Sequence, residues 1–380
     1  MSNFTSFSQK DYLESQYERR FYFSVTVITF SLKKECAVCV KMRPEGDSMT
    51  QKNAIVLAAG KGTRMRSEKN KVMHTLIDRP ILAYPIDALK EAGADRIVVV
   101  AGYQAQSLMD AFKDVEFAIQ KEQLGTGHAV MQCTVLENEP GYTLVMNGDV
   151  PCLQASTLQA LYEETQKNNH SLVLLSAVLE DGAHYGRVVR NDAGQVLEIV
   201  ESKDCTQDQK QIREINAGVY CFNNRDLFES LSKLTTNNAQ HEYYLTDLVK
   251  ILSSQGKSVQ AIQCNPDEMA GINTVTELYG VSQWMIQKIN QKWMDQGVQI
   301  MDPKRTVIGK DVQIGHDVEI YPGTHLMGKT IIQDWCEIYP NTWIEDATVE
   351  DHCKLHSCIV KNCTVPQNTF KENEFIKEGL

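Results

Sequence analysis

The chain reads as an α/β protein: a Rossmann-like domain on a mostly parallel sheet, followed by a short parallel β-helix of hexapeptide repeats. Two observations predict this. From residue 53 to about 270, short apolar β-branched runs alternate with helical patterns, the signature of a parallel sheet covered on both faces. Then Ile308, Ile314, Ile320, Leu326, Ile332, Ile338 and Ile344 follow at a constant spacing of six. Neither a helix nor a plain strand has that period, whereas each flat face of a triangular β-helix does.

The elements follow in order. The strand "AIVLAAG" precedes a helix over "ILAYPIDALKEAG", which stops at Gly93, a natural C′ residue. The strand "RIVVVAG", a helix around "QAQSLMDAF", the strand "VEFAIQ" and a helix from "GTGHAVMQC" come next. The strand "YTLVMNGDVP" then leads to the helix "ASTLQALYEET". "YGRVVRNDAGQVLEIVE" reads as two strands around Asn191-Asp192-Ala193-Gly194, an antiparallel inset over the ligand edge of the sheet. Residues 274–297 form one long helix, a stiff connector. In the tail, 18 residues make one coil, so 306–368 give about three coils. At Glu350 the register slips by one, and Val349 and Leu355 continue it.

These readings divide the chain into a leader (1–48), the α/β domain (49–273), a connecting helix (274–300), the β-helix (301–370) and a tail (371–380). The leader ends in the turn-rich "RPEGDSM", and Met49 opens "MTQKNAIVLAAG" in the manner of a first Rossmann strand. We expect 1–48 to be disordered or artefactual, with translation from Met49.

The 380 residues leave room for two or three domains and carry a net charge of -11. Such a chain repels nucleic acid and anionic membrane, so a polyanionic ligand must be held by a local basic cluster. No apolar run is long enough to span a membrane. "FYFSVTVITF" (21–30) sits late for an export signal, and no small-residue cleavage site follows it. The 11 scattered cysteines read as free thiols of a cytoplasmic protein. "CAVC" (Cys36, Cys39) has no second pair nearby. In "DHCKLHSCIVKNC", His352, Cys353, His356, Cys358 and Cys363 lack a tight zinc knuckle, and core thiols are expected.

The first chemical motif is the loop after "AIVLAAG". Gly60 and Gly62 stand too close for a P-loop, and Met65 occupies the place of the third glycine of a dinucleotide fingerprint. What remains is a turn with bare N–H groups at the carboxyl end of a buried strand, beside Lys61, Arg64, Arg66 and Lys71. A basic stretch alone is usually a solvated face; at this sheet edge it suits a nucleoside triphosphate. The second is "LVMNGDVP", whose Asp149 points out at the same edge. It could cap the next helix, but Pro151 argues against a simple cap. Beside a triphosphate it would hold Mg²⁺, with the amide of Asn273 in "GINTV" as a second oxygen. The third is "QKEQLGTGHA", where Gly125, Thr126 and Gly127 open a helix and Gln120 offers a donor and an acceptor to a base edge.

"LAAGKGTRM", "KVMHTL", "EQLGTGHA", "NGDVP", "YGRVVR", "IVESKDCT", "EINAGVYCF" and "NNAQHEYYLTDLV" together resemble the uridylyltransferase domain of bacterial bifunctional N-acetylglucosamine-1-phosphate uridylyltransferase/glucosamine-1-phosphate acetyltransferases. The likeness runs from about 53 to 300 and on into the β-helix, whose hand it implies is left. The resemblance implies an Mg²⁺-dependent enzyme making UDP-N-acetylglucosamine, a cell-wall (peptidoglycan) precursor, and pyrophosphate from UTP and N-acetylglucosamine 1-phosphate. It implies that the Leu57, Ala58, Ala59 and Gly60 backbone lies along the nucleotide, with Arg64 and Lys71 toward its phosphates. Gln120, Gly125 and Thr126 would meet the uracil. Asn147, Gly148 and Asp149 would form the substrate edge, with Asp149 and Asn273 on the metal. Gly186, Glu201 and Asn216 would line the sugar.

Three residues depart from the family pattern. Asn70 replaces a usual Pro and is expected to loosen the turn that aims Lys71. Asn147 replaces a frequent Tyr, and His241 replaces a usual Gly. The family's acetyltransferase site lies in later coils of a trimer. With Leu380 as the last residue, the expectation is no acetyltransferase activity, the short β-helix serving as a cap or an oligomer contact. Two alternatives remain: another sugar-1-phosphate nucleotidyltransferase, of the UDP-glucose type, and a non-catalytic regulatory subunit. The second predicts loss of the carboxylate or the lysine, and both Asp149 and Lys71 are present.

Overall fold

A computed structural model describes residues 51–182 and 184–378. The expectations for the leader, including Cys36, Cys39 and the 21–30 run, lie outside the described residues. Along the chain run β1 (Lys52–Ala58), β2 (Thr75–Leu76), β3 (Arg79–Pro80), α1 (Ala83–Glu91), β4 (Arg96–Ala101), α2 (Ala105–Ala111), β5 (Glu116–Ile119), α3 (Thr126–Met131) and β6 (Tyr142–Asn147). Then come α4 (Ala155–Lys167), β7 (Leu172–Val178), β8 (Arg187–Arg190), β9 (Val196–Val200), β10 (Glu214–Asn223), α5 (Asn224–Leu231), α6 (Asp247–Ser254), β11 (Val259–Gln263) and α7 (Val275–Asp295).

The central sheet has the order β11-β7-β10-β6-β1-β4-β5, with β8 joined to β10 and β9 to β8. β1 pairs in parallel with β4 and β6. Its side chains alternate between two cores, as period-two geometry requires. Ala54, Val56 and Ala58 pack with Leu82, Ile86, Leu89 and Leu161, while Ile55 packs with Val130, Leu227, Leu248 and Leu252. Both faces are dry from Ala54 onward, so residues 54–58 are apolar without alternating, after Lys52 and Asn53 open the strand. One strand breaks the parallel pattern: β10 runs antiparallel to both β6 and β7. The predicted inset is β8 and β9, antiparallel to each other and attached to the sheet through Arg187 and Ile215.

Helix α1 ends as expected, with Gly93 at φ +83° after its last turn. Helix α7 starts from a capping box: the Thr274 side chain accepts from Glu277 N–H, and the Glu277 carboxylate accepts from Thr274 N–H. No helix among the described residues is long and apolar enough to cross a membrane.

The tail is a parallel β-helix of short strands from Gln299–Ile300 to Phe375–Lys377, stacked as sheets of five, five and four strands. It is longer than the three coils expected, and residues 371–377, expected as a tail, pair in its last rung. The reason is a shrinking coil. Ile320 pairs with Ile338, 18 residues on, but Ile338 pairs with Leu355 and Ile344 with Val360. Shorter corners hide the period of six while Val360 and Val365 stay buried inside. Several corners carry left-handed residues, among them Asn341, Asp346, His352 and Asn362, residue types that include the better tolerated ones there. Cys353 and Cys358 are fully buried in this core, and among the described residues no group of three or more His, Cys, Asp or Glu could hold a metal ion.

The buried Asn290 of α7 donates to Pro303 O (2.8 Å) and Thr306 O (2.9 Å), tying the connector to the first coil. Arg79 reaches Asp311 at 2.8 Å and Lys310 reaches Glu91 at 2.8 Å, across the junction of the two folds.

Candidate active site

The site lies at the carboxyl edge of the sheet. After β1 the chain turns through Gly60, Lys61 and Gly62, the last at φ +64°. A Cβ on Gly62 would stand 2.5 Å from Lys71 Cβ, so only glycine lets the loop lie against the lysine stem. Lys71 opens a 3-10 turn capped by Asn70. The expectation that Asn70 loosens this turn is corrected by its contacts. Asn70 is fully buried; its side chain accepts from Val72 N–H (3.1 Å) and donates to Tyr103 O (2.7 Å), and its N–H donates to Gln104 Oε1 (3.0 Å). Three hydrogen bonds hold a turn that a proline would hold through its fixed φ.

Asp149 follows β6 in a loop where Gly148 N–H donates to Leu57 O (2.9 Å). The Asp149 carbonyl accepts from Ile272 N–H (3.0 Å), which brings Asn273 beside it. The Lys71 ammonium pairs with the Asp149 carboxylate and donates to Asn273 Oδ1 (3.2 Å). Arg64 donates to the same amide oxygen at 2.9 Å. A carboxylate and an amide oxygen converging on one cation are the hard donors a small divalent metal takes. The lysine ammonium stands in for such an ion, so the donor set fits the group.

Gln120, at the end of β5 and nearly buried, donates to Gly125 O (3.1 Å) and meets His128 Nδ1 (3.1 Å). Gly125 has φ +110°, and a Cβ there would strike the Tyr243 backbone. Gly127 N–H donates to Tyr243 O (2.7 Å), Tyr243 N–H to Leu124 O (2.8 Å) and Leu245 N–H to Thr126 Oγ1 (3.1 Å). The "EQLGTGHA" and "EYYLTD" segments are thus zipped together. His241 takes φ +55°, which gives the physical reason glycine suits that position.

On the far side, Asn216 donates to Tyr220 Oη (2.6 Å), accepts from Gly218 N–H (3.0 Å) and pairs through its backbone with Gly186 O (2.9 Å). The Glu201 carboxylate accepts from Thr246 Oγ1 (3.1 Å). Burial pushes its pKa up, with Asp204 and Asp247 adding to the shift and the Thr246 bond opposing it.

Two cavities adjoin here. One, of about 290 Å³, is lined by Leu57, Ala58, Ala59, Gly60, Lys71, Gln120, Gly125 and Thr126. The other, of about 560 Å³, is lined by Gly186, Glu201, Asn216 and Asn273 among others. Leu57, Thr126, Asn147 and Asp149 line both. Of the expected residues, Arg64 and Gly148 stand outside both linings. Sequence reasoning missed Tyr185, Tyr220, Thr246 and Glu277, all of which line the larger cavity. The T-x-x-E spacing of Thr274 and Glu277 could have found the last of these; Tyr185, Tyr220 and Thr246 lie inside the quoted motifs "YGRVVR", "EINAGVYCF" and "NNAQHEYYLTDLV", which could have pointed to them.

Residues 54–247 match the MobA-like NTP transferase domain. The chain is 40% identical over 321 residues to the bifunctional protein GlmU of Clostridium novyi, covering 84% of this chain and 70% of that protein. It is 41% identical over 312 residues to the bifunctional protein GlmU of Limosilactobacillus reuteri, covering 81% and 69%. A UDP-glucose pyrophosphorylase structure shares the fold at 21% identity and TM-score 0.53, over 63% of this chain and 99% of that one. By this similarity and these shared segments, the chain belongs to the bifunctional GlmU family and carries a MobA-like NTP transferase domain.

Proposed function

We propose that the chain is a UTP:N-acetylglucosamine-1-phosphate uridylyltransferase acting in the cytoplasm. The observation that carries this is the pair of cavities meeting at Asp149. A triphosphate along the glycine loop and a sugar phosphate beside Glu201 and Asn216 would bring their phosphates together there.

A sugar-phosphate oxygen attacks the α-phosphorus of UTP in line; that P–O bond forms as the bond to pyrophosphate breaks, and pyrophosphate leaves with the electron pair. The nucleophile is already an anion, so no general base is needed. The protein aligns two anions that repel each other and balances the growing charge. Lys71 and Arg64 supply positive charge toward the phosphates. Gln120 and the Gly125 backbone orient the base, and Glu201 and Asn216 accept from and donate to the sugar. Asp149 and Asn273 would hold Mg²⁺, which when bound neutralises phosphate charge.

The test is pyrophosphate release from UTP and Mg²⁺ with N-acetylglucosamine 1-phosphate, glucose 1-phosphate or glucosamine 1-phosphate. We expect release with the first substrate to exceed the others clearly. Preference for glucose 1-phosphate would turn the assignment to the UDP-glucose type, and no release with any would leave the non-catalytic reading.

A homotrimer through the β-helix belongs to the same proposal. Trp343, Ile359 and Phe375 form one outward row in register, and Ile359 and Phe375 are exposed, which supports a second copy as their cover. Light scattering of the full chain tests it.

A further inference from the structure

The two oxygens that would hold a divalent cation are already taken. The Lys71 ammonium pairs with the Asp149 carboxylate and reaches Asn273 Oδ1, and Arg64 covers that oxygen from another side. The Lys71 and Asp149 side chains are 17% and 14% exposed, so solvent screens their attraction less than it would a surface pair. The Asp149–Ile272 backbone bond holds the two oxygens together independently of the lysine. The lysine stem lies close to Gly62 as far as Cδ and starts from the turn capped by Asn70, so a change of position falls to its terminal Cε and ammonium. Lys71 also lines the smaller cavity beside Ala59 and Gly60, where a triphosphate would offer the ammonium another partner.

We propose that Lys71 is an internal counter-ion that keeps the metal position closed until a nucleoside triphosphate draws its ammonium away. The idea rests on the functional reading above and adds an order to it: nucleotide and metal load together, not metal first. A bridge that is open about a tenth of the time weakens metal binding without nucleotide about tenfold. By linkage, the nucleotide then gains from the metal what the metal gains from the nucleotide.

The experiment measures Mn²⁺ binding to the full, nucleotide-free chain from the free-ion signal in electron paramagnetic resonance. Wild type, Lys71→Met, Lys71→Gln and Lys61→Met are compared. Lys61→Met removes the same charge from a side chain that lies over the Tyr103 ring instead of on the two oxygens. Both Lys71 variants are expected to bind Mn²⁺ at least about tenfold more tightly than wild type, Lys61→Met within about threefold of it. Adding Asp149→Asn to Lys71→Met should abolish the gain. Equal affinity in wild type and both Lys71 variants overturns the counter-ion role. So does a Lys61→Met gain as large as theirs, or a gain that survives Asp149→Asn. Pyrophosphate release by the wild type, measured alongside, separates the two failures. If release persists, only the counter-ion role falls; if the wild type releases none, the functional reading falls.

Discussion

The Asp149 carbonyl accepts a hydrogen bond from the Ile272 N–H at 3.0 Å. Residues more than a hundred positions apart in the chain thereby place a carboxylate and the Asn273 amide on one cation. The joint is made by backbone, so side-chain changes at Asp149 leave it standing.

That separation makes Asp149→Asn a clean probe. The variant keeps the backbone joint and should lose about 10² or more in kcat. Lys71→Ala should lose a similar factor. Steady-state pyrophosphate release decides the matter, and near-normal turnover in either variant would remove these residues from the proposed centre.

Glu201 is buried enough for its pKa to lie above the usual glutamate range. In the native state it takes up a proton at higher pH than it does unfolded. Its protonation therefore favours the fold below the ordinary glutamate pKa, and this contribution is lost as pH rises through the folded value. Sugar-phosphate binding that uses the carboxylate should weaken as pH falls through that raised value. Glu201→Gln should raise KM for the sugar phosphate about tenfold or more and flatten this acid limb. It should cost no stability at pH 8, because a half-buried charge is removed. A KM profile unchanged in the variant would exclude Glu201 from sugar recognition.

Asn70 anchors the lysine turn with three hydrogen bonds from a fully buried position. Asn70→Ala leaves buried groups unsatisfied and should cost about 1–3 kcal/mol by urea unfolding. Asn70→Pro keeps the φ but loses both side-chain bonds and the N–H to Gln104, so it should destabilise as well. A neutral or stabilised proline variant would show that the turn is held by its φ alone.

His241 sits at φ +55° with its N–H on Asn238 O (3.1 Å). His241→Gly relieves the left-handed penalty and loses some unfolded-state restriction, with a net gain of up to about 1 kcal/mol. Equilibrium denaturation checks this, and a clear loss of stability would mean that the imidazole contributes a contact outweighing the strain.

Much was legible before any coordinates because it is local. Dry strands announce themselves by unbroken apolar content such as residues 54–58 of β1, Gly93 by the helix end it terminates, and the inward row from Ile308 to Ile344 by its period of six. The glycine loop and Asp149 were readable as residues at the carboxyl ends of buried strands. What those motifs do to one another was not. The reversal of β10, the pairing of Gly127 with Tyr243 and the Glu201–Thr246 contact join segments distant in the chain, and no short window carries them. Asn70 was misread because a proline's preset φ and an asparagine's hydrogen bonds are different routes to one turn, and only the neighbours Tyr103 and Gln104 reveal the second. The β-helix outran its periodicity because corners lose residues while the stack stays in register. The residues alone therefore determined the layers, the ligand edge and the chemistry offered there. Tertiary structure decided which oxygens share a cation and where two cavities meet, since hydrogen bonds between remote backbones depend on the packed fold and not on sequence spacing.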